Sequence, residues 1–351
     1  MAGFRVLGAV DKDDDLVSSY PKNFPTIPVV KLDLSSTAPS ELLKSIGISS
    51  QQVLGIVGGP PCQGFSYIGK RDPNDPRNFL VYKFFEFVIG IKPGFFVFEN
   101  VPGLLTEPFV KVLEASLELV TTHGIYEVQG PTILDAADFG AATQRPRVFV
   151  IGYRSQYMEE IDLTPIQNHL STRQATVQDA ILDVPSPSQA TKGENGDYWG
   201  RYTSEPISDL AIFARKLPPR GLASEHVRET CSVGLVSGLQ PTNHTQRVLQ
   251  RFSRLRQGER DEVYRSSRLS WQAPSPVLRA GTGKERGSFQ ALRPIHPSEH
   301  RVITVREAAR IQGFPDWFQF HRTKWHSFRM IGNSVSPLVS TAMLSQVRKS
   351  L

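Results

Sequence analysis

Cys62, Glu99, Arg145 and Arg147 are the residues whose types and settings could carry covalent chemistry together. A cysteine thiolate attacks an electron-poor carbon, a carboxylic acid protonates a ring nitrogen, and guanidinium groups hold a carbonyl oxygen or a phosphate. Cys62 sits in Gly58-Gly59-Pro60-Pro61-Cys62-Gln63-Gly64-Phe65-Ser66, directly after the apolar run 53–57. That pattern reads as a buried strand that stops abruptly, leaving the cysteine at the strand's carboxyl end, where open α/β sheets place their ligands. Locally the thiol is equally a nucleophile or a small packed hydrophobe. Glu99 follows the apolar strand 95–98 and could otherwise cap a helix, and the two arginines could otherwise be solvated surface residues. Their shared place at strand ends, beside a basic segment, favours a site.

The elements that must position these groups alternate. Strands are expected over 4–10, 29–34, 53–57, 95–98 and 147–152, and helices over 41–46, 80–91 and 107–122. Leu80, Val81, Phe84, Phe85, Phe87, Val88 and Ile91 recur at helical spacing before the stop Lys92-Pro93-Gly94. Alternation through the first 155 residues predicts a doubly wound, parallel α/β sheet. Asp11 ends the first strand, where such folds place a carboxylate for ribose hydroxyls, although the acid run 11–15 reads equally as a solvated surface. From about 165 to 300 the chain turns rich in Pro, Ser, Gly and Arg, which predicts a separate, loop-rich domain. The glycine-rich stretch 281–287 lacks the Gly-Lys-Ser/Thr of a nucleotide phosphate loop. Thr304-Val305-Arg306-Glu307 is a capping-box pattern that opens a helix ended by Gly313.

Length and composition narrow the class. A chain of 351 residues, 39% hydrophobic and 21% charged, can bury a core as two domains or one with a large insertion. No apolar run is long enough to span a bilayer, and a signal-peptide pattern is absent, so a cytoplasmic, nucleoid-associated protein is expected. Cys62 and Cys231 are the only cysteines, which excludes a disulfide framework. His296 and His300 have metal-like spacing, but Pro297 between them argues against a helical ligand pair, and no metal is expected. The net charge is only +6, yet residues 215–293 hold 15 Lys and Arg against 6 Asp and Glu. An arginine-rich segment of that kind suits phosphate and base-edge contacts.

These residues resemble the DNA (cytosine-5)-methyltransferases. Gly-Pro-Pro-Cys62-Gln-Gly-Phe-Ser resembles the family's nucleophile motif, Glu99-Asn100-Val101 its Glu-Asn-Val motif, and Arg145-Pro146-Arg147 the end of its Gln-x-Arg-x-Arg motif. The stretch 301–314 and Gly332-Asn333-Ser334-Val335 resemble its two late motifs. The resemblance implies a Rossmann-like S-adenosylmethionine-dependent sheet, residues 1–175 and 326–351, with a smaller target recognition domain over 176–325. It implies that Cys62 adds to C6 of a flipped cytosine, that Glu99 protonates N3, and that Arg145 and Arg147 position the base and catalytic groups. S-adenosylmethionine would be held by Asp11, Lys12, Asp33, Leu34, Pro61, Leu80, Asn333 and Ser334. Double-stranded DNA would meet Gln63, Ser66, Arg279, Lys284 and Arg286.

The family's first motif, an aromatic followed by Gly-x-Gly, precedes the equivalent of Ala2-Gly3-Phe4. The expectation is therefore a sheet without its first strand, in a monomer or with a second chain that supplies the motif. Thr143 stands where the Gln of Gln-x-Arg-x-Arg belongs, and Gln144 follows one place late. Two rival readings remain at this point: a DNA-binding protein inactive alone, and an RNA cytosine-5 methyltransferase.

Overall fold

The computed structural model describes residues 2–61, 79–122, 124–167, 173–193, 196–280 and 293–351. The expected site residues Cys62, Gln63, Ser66, Lys284 and Arg286 lie outside the described residues. Two short strands, β1 (Ala9–Asp11) and β2 (Val29–Lys31), pair in parallel with Asp11 opposite Lys31. A second sheet holds β3 (Gly55–Gly58), β4 (Phe95–Asn100), β5 (Glu127–Asp135) and β6 (Pro146–Tyr153) in the order β3-β4-β6-β5. Among the described residues no ladder joins the two sheets.

The Rossmann-like α/β class holds, but the expectation of a parallel sheet is corrected at β6. β3 and β4 are parallel, but β6 runs antiparallel to both β4 and β5. Only a short 3-10 turn, Ala136–Phe139, stands between β5 and β6. That leaves no room for the crossover helix a parallel connection needs, so the two strands form a hairpin. β5 escapes the sequence pattern because Gly130-Pro131 interrupts its alternation, and the register shifts between Gln129 and Thr132. Gly130 is required there: its φ is +100°, and a Cβ would stand 2.7 Å from the Phe149 carbonyl oxygen.

Helices α1 (Asp14–Asn23), α2 (Pro39–Ile46), α3 (Phe79–Ile91) and α4 (Val110–Thr121) accompany these strands. The middle of the chain contributes α5 (Thr164–Gln167), α6 (Val177–Ile181), β7 (Thr191–Lys192), β8 (Tyr198–Arg201), α7 (Asp209–Ala214), α8 (Glu225–Ser232), β9 (Leu235–Val236) and α9 (Gln246–Ser253). The chain closes with α10 (Val305–Ile311), α11 (Lys324–Asn333) and α12 (Pro337–Lys349).

β4 is apolar on both faces because both are covered. Phe96 and Phe98 pack with Val81, Phe85 and Val88 of α3, while Phe95 and Val97 pack in the cluster containing Val339, Met343 and Val347 of α12. A third core joins α6, α10 and α11 through Ile181, Ala308, Ile311, Phe328 and Ile331. α10 opens with the expected capping box: the Thr304 side chain accepts from the Glu307 N–H and the Glu307 carboxylate from the Thr304 N–H. Gly313 follows with φ +84°, the left-handed position that lets the chain leave a helix end. No helix among the described residues is long and apolar enough to cross a membrane.

Candidate active site

The last two residues of β4 are Glu99 and Asn100, with Asn100 paired to Val148. Arg147 therefore extends one residue past β4 and reaches diagonally back to Glu99, its Nε 2.9 Å from Oε1. Gly59, just beyond β3, approaches the same carboxyl group from the other side. A Cβ there would lie 2.6 Å from Glu99 Oε2, so a larger residue would push on the carboxyl group. Asn100 Nδ2 donates to the Pro60 carbonyl at 3.2 Å. The backbone two residues ahead of Cys62 is thus fastened to the strand end that carries Glu99.

Electrostatics give that carboxyl a distinct character. Burial raises its pKa, and the coulombic pull of Arg147 and Arg145 recovers only part of the shift, so the net displacement is upward. A carboxyl group tuned this way holds a proton at higher pH than an ordinary glutamate, as a general acid requires.

Arg145 does something different from Arg147. Its side chain is buried and donates to three backbone carbonyls: Gly332 at 2.6 Å, Ser334 at 2.8 Å and Leu278 at 3.2 Å. Thr143 is also buried, and its hydroxyl donates to the Pro276 carbonyl at 3.3 Å, beside a parallel bridge from Thr143 to Ser275. Gln144 faces solvent. At the position where the motif pattern has Gln, a small hydroxyl residue ties the segment leading into β6 to residues 275–276.

Asp11, Lys12 and Asp33 come together at the carboxyl ends of β1 and β2. Asp11 Oδ1 accepts the Asp13 N–H at 2.9 Å, and Lys12 Nζ lies 3.6 Å from Asp33 Oδ2. Asp33 Oδ1 accepts from both the hydroxyl and the N–H of Ser35, which together with Lys12 holds its carboxyl below the usual range. Asp11 and Asp33 present carboxyl oxygens at strand ends, the acceptor set expected of a site for ribose hydroxyls and an adenine amino group. Leu34 and Leu80 are half-buried, and Pro61 and Asn333 are exposed. The Ser334 hydroxyl donates to the Ile331 carbonyl at 2.8 Å.

The basic segment divides between surface and interior. Arg247, Arg254, Arg256, Arg260, Arg265 and Arg279 are exposed. Arg268 is buried and donates to the carbonyls of Phe252, His296, Pro297 and Glu299. Arg215 and Arg251 pair with Asp183 and Asp261. A charge count over residues 215–293 therefore overstates what can face a phosphate backbone. His296 is likewise engaged structurally, its Nδ1 accepting the N–H groups of Ser298 and Glu299.

Cys231, in α8, packs against the cluster of Ala223, Val227 and Trp317. Burial pushes its thiol up to about 11, which leaves little thiolate near neutrality.

Comparison with known proteins places these features in a wider group. The family profile described as C-5 cytosine-specific DNA methylase matches residues 1–349. Type II methyltransferase M.XorII of Xanthomonas oryzae pv. oryzae is 36% identical over 351 residues, covering 100% of this chain and 81% of the relative. Type II methyltransferase M.DdeI of Desulfomicrobium norvegicum is 33% identical, covering 99% and 84%. Among solved structures, an Escherichia coli prophage protein assigned as a DNA modification methyltransferase aligns with a TM-score of 0.83 at 34% identity, covering 99% of this chain and 93% of that one. The Dnmt2 methyltransferase of S. pombe shares the fold, with a TM-score of 0.59 at 15% identity, covering 98% and 91%.

Proposed function

Because the chain belongs to the C-5 cytosine-specific DNA methylase family, we propose that Cys62, Glu99 and Arg147 form its reaction centre, acting on a cytosine extruded from duplex DNA. It is a DNA (cytosine-5)-methyltransferase, and its curated relatives are Type II methyltransferases, which supports a place in a restriction-modification system. The division of labour follows the expected domains, with residues 1–175 and 326–351 carrying the chemistry and 176–325 reading the target.

The observation that carries this reading is the Glu99 carboxyl: half-buried, raised in pKa, paired with Arg147 and left room by Gly59. In the proposed sequence the Cys62 thiolate bonds to C6 of cytosine while Glu99 gives its proton to N3. The electron pair displaced from the C5–C6 double bond makes C5 nucleophilic. S-adenosylmethionine, which members of this family generally use, supplies the methyl group when bound. Removal of the C5 proton and elimination then break the Cys62–C6 bond, and the N3 proton returns to Glu99. Arg147 holds the carboxyl in place throughout. Asp11 would hold the ribose hydroxyls of the cofactor, and Asp33 its adenine amino group, through free acceptor lone pairs.

Extruding the base costs on the order of a few kcal/mol. Contacts from the exposed arginines to phosphates offset that cost and make binding fall with salt. Bisulfite sequencing of DNA from cells expressing the protein tests the reading. One recurring protected sequence is expected. Unprotected DNA, or methyl transfer to tRNA in preference to duplex DNA, would overturn it.

A further inference from the structure

Val263 is 65% exposed and Tyr264 56%, side by side at the tip of a two-stranded ribbon over 258–268. Its rungs are the Gly258 N–H to the Arg268 carbonyl, the Arg268 N–H to the Glu259 carbonyl and the Asp261 N–H to the Ser266 carbonyl, each 2.8 Å. They flank an antiparallel bridge from Arg260 to Ser267. Within the tip the Tyr264 N–H donates to Asp261 Oδ2, and Arg260 Nε to the Arg265 carbonyl, both at 2.6 Å. Arg265 takes a left-handed φ of +56° as the chain turns back.

The ribbon is braced from behind. Buried Asp261 pairs with Arg251 of α9, whose guanidinium lies 4.9 Å from the Tyr264 ring centre. Buried Arg268 ties the returning strand to the carbonyls of Phe252 and His296, and the Leu269 N–H donates to the Ile295 carbonyl. The tip is held outward, so Val263 and Tyr264 keep apolar surface in water until something covers it.

Charge identifies what covers it. The exposed charged residues from 247 to 265 are Arg247, Arg254, Arg256, Arg260 and Arg265 against Glu259 and Glu262. The Glu259 carboxylate is turned back onto the Arg256 N–H. Such a field draws a polyanion. A two-stranded ribbon fits the major groove of duplex DNA, and the apolar group that a base edge offers there is the C5-methyl of thymine.

We propose that Val263 and Tyr264 are specificity-determining residues that pack against a thymine methyl group, so that the sequence this protein methylates contains at least one A·T pair. This rests on the methyltransferase reading above and names part of its target. The exposed arginines hold the DNA backbone while the tip closes on the methyl group.

The protected sequence found by bisulfite sequencing supplies the duplex, and deoxyuridine in place of each thymine in turn removes that methyl group and nothing else. With wild-type protein, kcat/KM should fall about fourfold at one thymine and stay level at thymines outside the protected sequence. Val263→Ala should erase most of the difference between thymine and deoxyuridine at that position. Val263→Ile, which keeps a branched apolar group, should retain it. A merely structural role would lower activity on both duplexes alike and leave their ratio unchanged. A protected sequence made only of G·C pairs, equal rates on every thymine and deoxyuridine pair, or an undiminished ratio in Val263→Ala would overturn the proposal. So would a Val263→Ala variant that changed only self-association in sedimentation, which would assign the tip to a second copy. Absence of any protected sequence would instead sink the methyltransferase reading, before a single thymine is exchanged.

Discussion

Glu99, half-buried, and Asp316, buried, are both carboxyl groups held against arginine, yet they are displaced in opposite directions. Burial raises Glu99, and Arg147 and Arg145 compensate only in part. Burial would raise Asp316 too, but Arg310 outweighs it through bonds of 2.7 Å from Nε and from Nη2. Arg306 adds a contact at 3.6 Å, and the Tyr202 hydroxyl donates as well. The second region continues outward: Arg310 also reaches Asp183 at 3.1 Å, and Asp183 accepts from Arg215. Burial alone does not assign a carboxyl its role. The number of donors does: many fix a permanent charge that ties elements together, and few leave a group able to carry a proton.

Exchanging the acid for its amide in each region sharpens the contrast most. Glu99→Gln should lower kcat by roughly 10²–10⁴-fold with little loss of stability, because the carboxyl it removes is poorly compensated. Asp316→Asn should leave Arg306 buried without its counter-charge and Arg310 with Asp183 alone, and cost about 3–5 kcal/mol, while the folded fraction still turns over. Urea unfolding beside steady-state methyl transfer checks both. If Asp316→Asn lost activity while keeping full stability, the division of roles would be broken.

The pH dependence of stability should also differ in sign. For Asp316 and Glu307 the folded pKa values are lowered, so the unfolded chain takes up protons first as pH falls. Their stabilisation is present above the ordinary carboxylate range and is lost as pH falls through the folded values. Glu99 is raised, so its contribution is present below the ordinary value and is lost as pH rises through the folded one. Asp316→Asn should flatten the acid side of a stability–pH curve, and Glu99→Gln should flatten the decline on its higher-pH side. Thermal melts across pH 3–8 would contradict this if the two variants changed the same limb.

The smallest expected effect concerns the thiols. Cys231, pushed up to about 11 by burial, should stay unmodified in folded protein treated with iodoacetamide near neutrality, and become reactive on unfolding. Peptide mass mapping resolves it from Cys62. Rapid alkylation of Cys231 in the folded protein would remove the distinction between a packed and a reactive cysteine.

Parts of this arrangement are legible in the sequence alone. The stop after β3, Glu99 at the end of β4 and the aromatic stripe of α3 follow from local pattern, as does the capping box of α10. Other parts were hidden. α1 was read as an acid run, although Asp13 is its N-cap and Asp14 and Asp15 occupy its first turn; Pro21 inside the helix obscures the periodicity. α11 carries a weak sequence signal, since Trp325, Phe328 and Ile331 recur every third residue.

The role of Arg145 could not be read at all. Its partners Gly332 and Ser334 are far away in sequence, and a carbonyl acceptor leaves no trace in residue type. The same holds for Arg268, whose place in the arginine-rich segment suggests nucleic acid and whose surroundings make it an internal tie. Arginine content marks where charge is, and only the fold decides which charges face outward.

The central claim is that the strand-end cluster around Glu99 serves a covalent step at Cys62. Duplex DNA in which 5-fluorocytosine replaces the target cytosine tests it most directly, because fluorine at C5 prevents the elimination that would free the enzyme. With S-adenosylmethionine present, wild-type protein should form an adduct that survives denaturing electrophoresis, and Cys62→Ser should form none. A wild-type protein that methylates ordinary DNA but is never trapped, or a Cys62→Ser variant trapped as well as wild type, would contradict it.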